Sequence, residues 1–442
     1  MNKIQLKIKN FGPIRNGFAD NDGFMDIPKV TLFCGPQGSG KSTIAKVLSS
    51  LIWLEKAASF IGWRGQSVEL QNNKILVNLL GWHGMSSYFR DSMEILYRGE
   101  YLSFDYSNGE TRIALSGDTA NQYMKPKIMY VPAERNFLYL LDSNTASKRL
   151  PSPLRALLDE FKLAQRSLCH PNAYDIPING YQYKYDSASK DYYIINQHGD
   201  RNEEKTPIIE ASSGLQSVLP LLMITDYLAG KLDEVQTLKP GFMPLALSVN
   251  PFIRSGGGNS GAKYLGYDME INPMDIVVGM SRKNSHFINI VEEPEQNLFP
   301  PTQRAVLRHL LEVNNKVSDS RLILSTHSPY IVADLVASMK ARCIADKIQT
   351  VVDEDSTTQL KGLLETCFQL SAAVNADSVR LYETNYDGSI SSTPSKESRI
   401  PDSNFLNRHL QLGSKLFEQL DVIEEMIDQL ASPSSADLPT RA

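Results

Sequence analysis

Cysteine is scarce in this chain. The four present in 442 residues, Cys34, Cys169, Cys343 and Cys367, lie far apart and form no Cys-x-x-Cys pair. That spacing points away from zinc motifs and from a disulfide framework, and it leaves four ordinary thiols expected to be buried or half-buried. Long apolar runs are also missing: nothing approaches eighteen residues, and the richest stretch, Val218 to Ile224, carries Pro220. No membrane-spanning helix is expected. The first twenty residues alternate charged and apolar side chains, which reads as a strand and not as a secretory signal. A cytoplasmic location without membrane contact is therefore expected. Neither sign of charge dominates, since 45 Lys and Arg against 50 Asp and Glu give a formal charge of −5. Such a balance supplies no global attraction to DNA, which stays possible as a partner but is not indicated. No internal repeat is visible.

What is there suits a folded core: 42% hydrophobic and 21% charged residues, in a chain long enough for two or three domains. Ile4, Leu6 and Ile8 alternate with polar residues as a half-buried strand that ends at Asn10-Phe11-Gly12-Pro13. Val30 to Cys34 reads as a second strand, and Thr43 to Ala57 carries apolar residues at helical spacing. Three strand-like runs follow from Glu94 to Leu115, with Asn108-Gly109 as a hairpin turn. Lys127 to Val131 reads as a buried strand running into Pro132-Ala133-Glu134-Arg135. Further on come a helix over 151–166, a tyrosine-rich hairpin over 181–196, an apolar helix from Ser213 and a glycine- and serine-rich loop over 255–261. Strand, helix and strand are expected at 287–291, 302–313 and 322–325.

The most specific motif is Gly35-Pro36-Gln37-Gly38-Ser39-Gly40-Lys41-Ser42, which fits G-x-x-x-x-G-K-[ST] at every specified position. It sits between a predicted strand and a predicted helix, the context that separates a phosphate loop from a chance glycine-rich turn. Glycines let the backbone curl so that its N–H groups face phosphates, and the helix adds its positive N-terminal end. The expected nucleotide-binding residues are Gly35 to Ser42 together with Thr43. In this reading Lys41 reaches the β and γ phosphates of ATP and the Ser42 hydroxyl ligates Mg²⁺.

Two further places carry chemistry. Phe287 to Val291 ends in Glu292-Glu293-Pro294-Glu295, which suits metal binding by Glu292 and water activation by Glu293. Alone, such a cluster is more often a solvated turn or a helix cap; beside a phosphate loop the balance reverses. Glu295 is left as a capping or pairing residue, and Asn289 is unusually polar for a core strand. Leu322 to Ser325 leads into Thr326-His327-Ser328-Pro329, where His327 is expected to hydrogen-bond the γ phosphate.

With these motifs in place, Ala211-Ser212-Ser213-Gly214-Leu215-Gln216 resembles the signature sequence of ABC-type ATPases. The order of phosphate loop, signature, Glu-Glu strand and Thr-His-Ser is similar to that superfamily. Within it, the chain resembles a compact bacterial branch that includes the ATPase part of the overcoming-lysogenisation-defect nucleases and the heads of SMC-like repair proteins. Asn10-Phe11-Gly12-Pro13 and Pro132-Ala133-Glu134-Arg135 fit the same branch, and the resemblance spans roughly residues 1 to 335. It implies an α/β fold, a P-loop ABC-type ATPase head over 1–345 with a helical lobe and insertions over about 136–285. A small C-terminal α+β addition over 346–431 and a disordered tail over 432–442 complete the expected layout.

The resemblance further implies that Ser213, Gly214 and Gln216 act in trans on ATP held by another subunit, in a homodimer or higher even oligomer. As plain chemistry, Ser212-Ser213-Gly214 would also make a good helix cap. Glu134 or Arg135 stands where relatives carry a coupling loop, without the usual glutamine. Relatives often carry aspartate first in the acid pair, so Glu292 is a longer ligand there. The interval 135–211 is too short for the coiled coil of long SMC-like proteins. Asp353-Glu354-Asp355 has the spacing of a Toprim acid pair but no Glu-Gly strand before it, and reads as a solvated turn. A hairpin over 379–388 and surface helices over 405–430 are expected beyond it. Taken together, the resemblance implies an ATP-hydrolysing, nucleotide-gated dimer that regulates a separate effector protein in a bacterial phage-defence or toxin system. A recombination-type DNA-repair ATPase, a metal-dependent nuclease and a slow binding switch are the alternatives.

Overall fold

The computed structural model describes residues 3–60, 67–70, 74–115, 123–140, 150–178, 180–197, 205–232, 263–264, 267–268, 284–349 and 354–393. The loop over 255–261, the segment over 405–430 and the tail from 432 lie outside these residues. Strands β1 (Ile4–Lys9), β2 (Gly17–Phe18), β3 (Met25–Ile27) and β4 (Val30–Cys34) lead into helix α1 (Lys41–Phe60). Next come β5 (Ser67–Leu70), α2 (Lys74–Gly81), β6 (Glu94–Arg98), β7 (Leu102–Ser107), β8 (Glu110–Leu115) and β9 (Pro126–Val131). The middle of the chain holds α3 (Ser152–Leu168), β10 (Tyr174–Ile176), β11 (Tyr181–Asp186), β12 (Asp191–Asn196), β13 (Lys205–Pro207), α4 (Ser213–Gly230), β14 (Lys263–Tyr264) and β15 (Tyr267–Asp268). It finishes with β16 (His286–Glu292), α5 (Pro300–Asn315), β17 (Arg321–Thr326), α6 (Pro329–Ile348), α7 (Glu354–Cys367), β18 (Val379–Thr384) and β19 (Ser389–Thr393).

Seven described strands form one sheet in the order β2-β19-β18-β4-β17-β16-β9. Its centre, β18, β4, β17, β16 and β9, is parallel throughout. Parallel strands are covered on both faces, and β4, β16 and β17 are buried at every residue. Alternation sorts their side chains between two cores. Val30, Leu32, Val291, Leu322 and Leu324 join α3, α4, α5 and α6 on one face. Phe33, Ile288, Ile290 and Ile323 join α1 and the second sheet on the other. That second sheet is antiparallel, with order β3-β1-β6-β7-β8-β5, so α1 is packed between two sheets. Asn108 and Gly109, both at positive φ, make the tight turn between β7 and β8 that the Asn-Gly pair announced. A four-stranded sheet, β10 to β13, accompanies α3 and α4 in the middle region.

Three features differ from the sequence expectation. The boundary at 345 falls inside α6, whose Leu335, Met339 and Ile348 are buried in the same core as the central sheet. The hairpin expected after that boundary is no addition: β18 pairs with β4 itself, from Val379↔Val30 to Glu383↔Cys34. Both Val379 and Leu381 are apolar and buried, so the hairpin belongs to the core it was divided from. Glu354 and Asp355, read as part of a turn, open α7 instead, where acids favour a helix N-terminus; Asp353 lies outside the described residues. Of the cysteines, Cys34 and Cys169 are buried and Cys343 is half-buried, while Cys367 is exposed. No described helix is long and apolar enough to cross a membrane.

Phe33 ties these parts together, fully buried and stacked on Tyr382 of β18 with ring centroids 5.5 Å apart. Phe33→Ala is expected to destabilise the fold by about 3–5 kcal/mol, the cost of emptying a buried aromatic site. Urea titration followed by circular dichroism measures it, and a loss below about 1 kcal/mol would show that this face is not packed as described.

Candidate nucleotide site

The glycine-rich loop leaves the end of β4 and enters α1. Gly35 has φ +140° and Gly38 φ +74°, conformations that side chains disfavour. A Cβ at Gly35 would collide with the Thr384 carbonyl oxygen of β18. Gly38 is exposed, and a Cβ there would meet no heavy atom within 4 Å. The loop is braced from within and from β18: Ser39 Oγ donates to Pro36 O at 2.7 Å and lies 2.6 Å from Thr384 Oγ1. Lys41 is almost entirely buried and bends back over the loop, its Nζ donating to Gly35 O at 2.9 Å and Pro36 O at 2.7 Å. Burial lowers the Lys41 ammonium to about 8, against the opposing pull of Cys34, Glu293, Glu295 and Glu292.

The strand register brings the remaining groups alongside. Thr326 lies opposite Cys34 and Glu292 opposite Ser325, so the loop, the Glu-Glu turn and the His327 turn leave one edge of the sheet. Glu292 is 3% exposed and its Oε1 is buried without a hydrogen-bond partner. Burial raises its carboxyl above the usual range, while Lys46 and the side chains of Tyr130 and Ser42 pull it back. Glu293 adopts φ +45°, held there by its N–H donating to Ser325 O at 2.8 Å. Its carboxylate, about one-third exposed, is 3.7 Å from His327 Nε2. Burial and then the Lys41 charge depress the His327 pKa, which favours a neutral ring near pH 7, able to donate from one nitrogen and accept at the other. Glu295 clamps the histidine turn: its Oε1 accepts from Thr326 Oγ1 and from the His327 N–H, both at 2.7 Å. Burial raises the Glu295 carboxyl.

The helix α4 abuts the same turn. Ser212 Oγ caps it, accepting from Leu215 N at 3.4 Å, so the cap reading of this segment holds. Ser213 is exposed at the helix start, and a Cβ at Gly214 would come within 2.8 Å of Asn297 O. Gln216 turns inward, its Nε2 donating to Ile208 O and Ile209 O of its own chain. Arg135, in the 3₁₀ segment Ala133–Leu140 after β9, is fully buried. Its guanidinium donates to the carbonyls of Pro132, Ser217, Glu292 and Glu293. Burial lowers it to about 10, so it remains charged at neutral pH.

No protein-family model matches the sequence, and no curated protein matches it. Among solved structures, an SMC head domain from Thermotoga maritima is 13% identical, with 76% of this chain and 92% of that one covered at TM-score 0.32. An Smc head domain bound to the C-terminal domain of ScpA, derived from Pyrococcus furiosus, is 10% identical, with coverages of 95% and 98% and TM-score 0.31. A dimeric ATP-binding cassette bound to ADP and Pi is 11% identical, with coverages of 74% and 89% and TM-score 0.25. Likeness at these scores carries no argument, and the function rests on the site itself.

The chemistry of these groups fits a phosphate and a divalent cation. The buried Lys41 ammonium suits phosphate, and Glu292, whose Oε1 has no hydrogen-bond partner and whose carboxyl is influenced by Ser42, suits a hard cation. Among the described residues no cluster of three or more His, Cys, Asp or Glu forms a metal site. A cation here would depend on Ser42, Glu292, water and the phosphates. A separate concavity of about 480 Å³, lined by Arg304, Arg308, His309 and Gln369 among others, shares no residue with this site. The sequence reading assigned Glu295 no more than a cap or pairing and held Arg135 open. Arg135 acts on backbone carbonyls and Glu295 on one backbone N–H and one hydroxyl, contacts between distant segments that leave no spacing to read.

The Lys41 shift has a measurable sign. Phosphate binding favours the charged ammonium, so binding takes up a proton wherever the free lysine has lost one. ATP affinity should be flat from pH 6.5 to 7.5 and fall as pH rises past about 8. Calorimetry in buffers of different ionisation enthalpy reads the proton uptake directly, and none at pH 9 would contradict it.

Proposed function

We propose that this chain is an ABC-type ATPase head that binds ATP with Mg²⁺, hydrolyses it and works as a nucleotide-gated dimer. The observation that carries the reading is the convergence, at one sheet edge, of Lys41, the unpartnered Glu292 oxygen and the Glu293–His327 pair. Lys41 leaves its loop carbonyls for the β and γ phosphates. Ser42 and Glu292 hold the cation, which would supply charge stabilisation at the phosphates. Glu293 orients and deprotonates the attacking water, and neutral His327 donates to the γ phosphate.

Support for a dimer comes from the rim. Ile209, Phe299 and Tyr330 are 54%, 74% and 37% exposed, and they flank the start of α4, the Glu-Glu turn and the His327 turn respectively. A second copy of the chain would cover them and bring its Ser213 and Gly214 to the γ phosphate. Gln216 then serves the arrangement from within, by fastening the helix start to Ile208 and Ile209. On the resemblance described above, the dimer regulates a separate effector protein of a bacterial phage-defence or toxin system.

ATP turnover and light scattering of the purified chain test the core of this reading. The wild type should hydrolyse ATP, Lys41→Ala should lose binding and turnover, and Glu293→Gln should accumulate as an ATP-bound dimer with turnover reduced about 10²-fold or more. A wild type that neither hydrolyses ATP nor changes size with it overturns the reading.

A further inference from the structure

We propose that Arg135 is a positioning residue that makes the setting of Glu293 depend on the helix carrying Ser213. The inference rests on the functional reading above, in which Glu293 activates water and Ser213 is engaged across a dimer. Arg135 is fully buried, yet its hydrogen bonds run to carbonyl oxygens of three separate segments. Nε donates to Ser217 O of α4 at 2.9 Å, Nη1 to Pro132 O at 3.2 Å and Glu292 O at 2.7 Å, and Nη2 to Glu293 O at 2.6 Å. A planar fork is needed to hold carbonyls in three directions, which a lysine ammonium on a flexible stem does not reproduce.

Ser217 is the shared node. Its carbonyl takes the Arg135 Nε, and its hydroxyl lies 3.1 Å from Gln296 Oε1, so one helical residue is tied to both ends of the Glu292–Gln296 turn. Two turns further along α4, Thr225 Oγ1 accepts from Asn289 Nδ2 of β16 at 2.9 Å. This third tie explains the polar residue in a core strand. Ser213 stands one helical turn before Ser217, exposed at the free end of the same helix. A displacement of α4 therefore moves the Glu293 carbonyl through Arg135. The left-handed backbone at Glu293 has two other anchors among the described residues, its N–H donating to Ser325 O at 2.8 Å and its carbonyl accepting the Gln296 N–H at 3.0 Å. A shift of about 1 Å at a reacting group is enough to cost about 10²-fold in rate.

The experiment is a kinetic double-mutant cycle with Arg135→Lys and Ser213→Ala, read as kcat and KM for ATP. Binding of a fluorescent ATP analogue, light scattering and thermal melting are recorded for each variant. Arg135→Lys should bind nucleotide and dimerise as the wild type does, with KM within about threefold and kcat lowered about 10²-fold. In the Arg135→Lys background, Ser213→Ala should lower kcat by a clearly smaller factor than it does in the wild type, because only its own contact with the γ phosphate is left to lose. A purely structural arginine would instead lower melting and nucleotide binding together. Arg135→Lys with near wild-type kcat, or losses that multiply independently, overturns the proposal. If Arg135→Lys does not fold, Arg135→Gln, whose amide can donate to fewer of these carbonyls, takes its place, and near wild-type kcat in a folded, nucleotide-binding Arg135→Gln overturns the proposal. An inert wild type sinks the functional reading itself, whereas an active wild type with an active Arg135→Lys sinks this inference alone.

Discussion

The site depends on the parallel register of four strands around β4. Cys34 is level with Thr326 on one side and Glu383 on the other, and Glu292 is level with Ser325 one strand further. Three chemically distinct turns therefore start from the same height on the same edge. A slip of one residue would turn every side chain of the slipped strand to the opposite face. Burial of both faces forbids such a slip, because Val30 and Leu32 serve one core and Phe33 the other. The common height of the three turns is thus set by the apolar packing beneath them.

Those groups are held in a costly state. Glu292 and Glu295 have carboxyls raised by burial, Lys41 an ammonium lowered by it, and Arg135 a guanidinium buried against carbonyl oxygens. Buried charge is tolerated only where it is paired or hydrogen-bonded; Arg135 meets that condition with four carbonyls, and the other three groups fall short of it. Glu292 Oε1 and Glu295 Oε2 have no partner, and Lys41 makes do with two loop carbonyls. A polyphosphate would give Lys41, and its cation would give Glu292, a partner of opposite charge.

Much of this arrangement was legible in the residues. The loop motif between strand and helix, the acid pair after an apolar strand and the Thr-His-Ser turn are local patterns, and the structure gathers all three at one edge. The Asn108-Gly109 turn and the helix from Ser213 were equally readable, since turn chemistry and apolar spacing are local. What escaped is long-range. Arg135 meets backbone carbonyls 82 and more residues away, and a carbonyl carries no residue identity for a pattern to catch. Glu295 gripping the His327 amide is hidden for the same reason. The hairpin was recognised from its turn, but its place beside β4 is a matter of pairing between distant segments, about which alternation is silent.

That last pairing sets an order of assembly. Thr384 bonds Cys34 O across 350 residues of chain, and Ser39 of the loop leans on the same threonine. During synthesis the loop strand emerges early and waits for both of its neighbours, β17 and then β18. Closing such distant contacts is slow, and an unpaired apolar strand is exposed to misassociation until they form. A ribosome-bound chain ending before β18 would carry every residue of the phosphate loop and lack the wall it rests on. The loop from Gly35 to Ser42 thus gains its β18 brace only after every helix from α1 to α7 has been made.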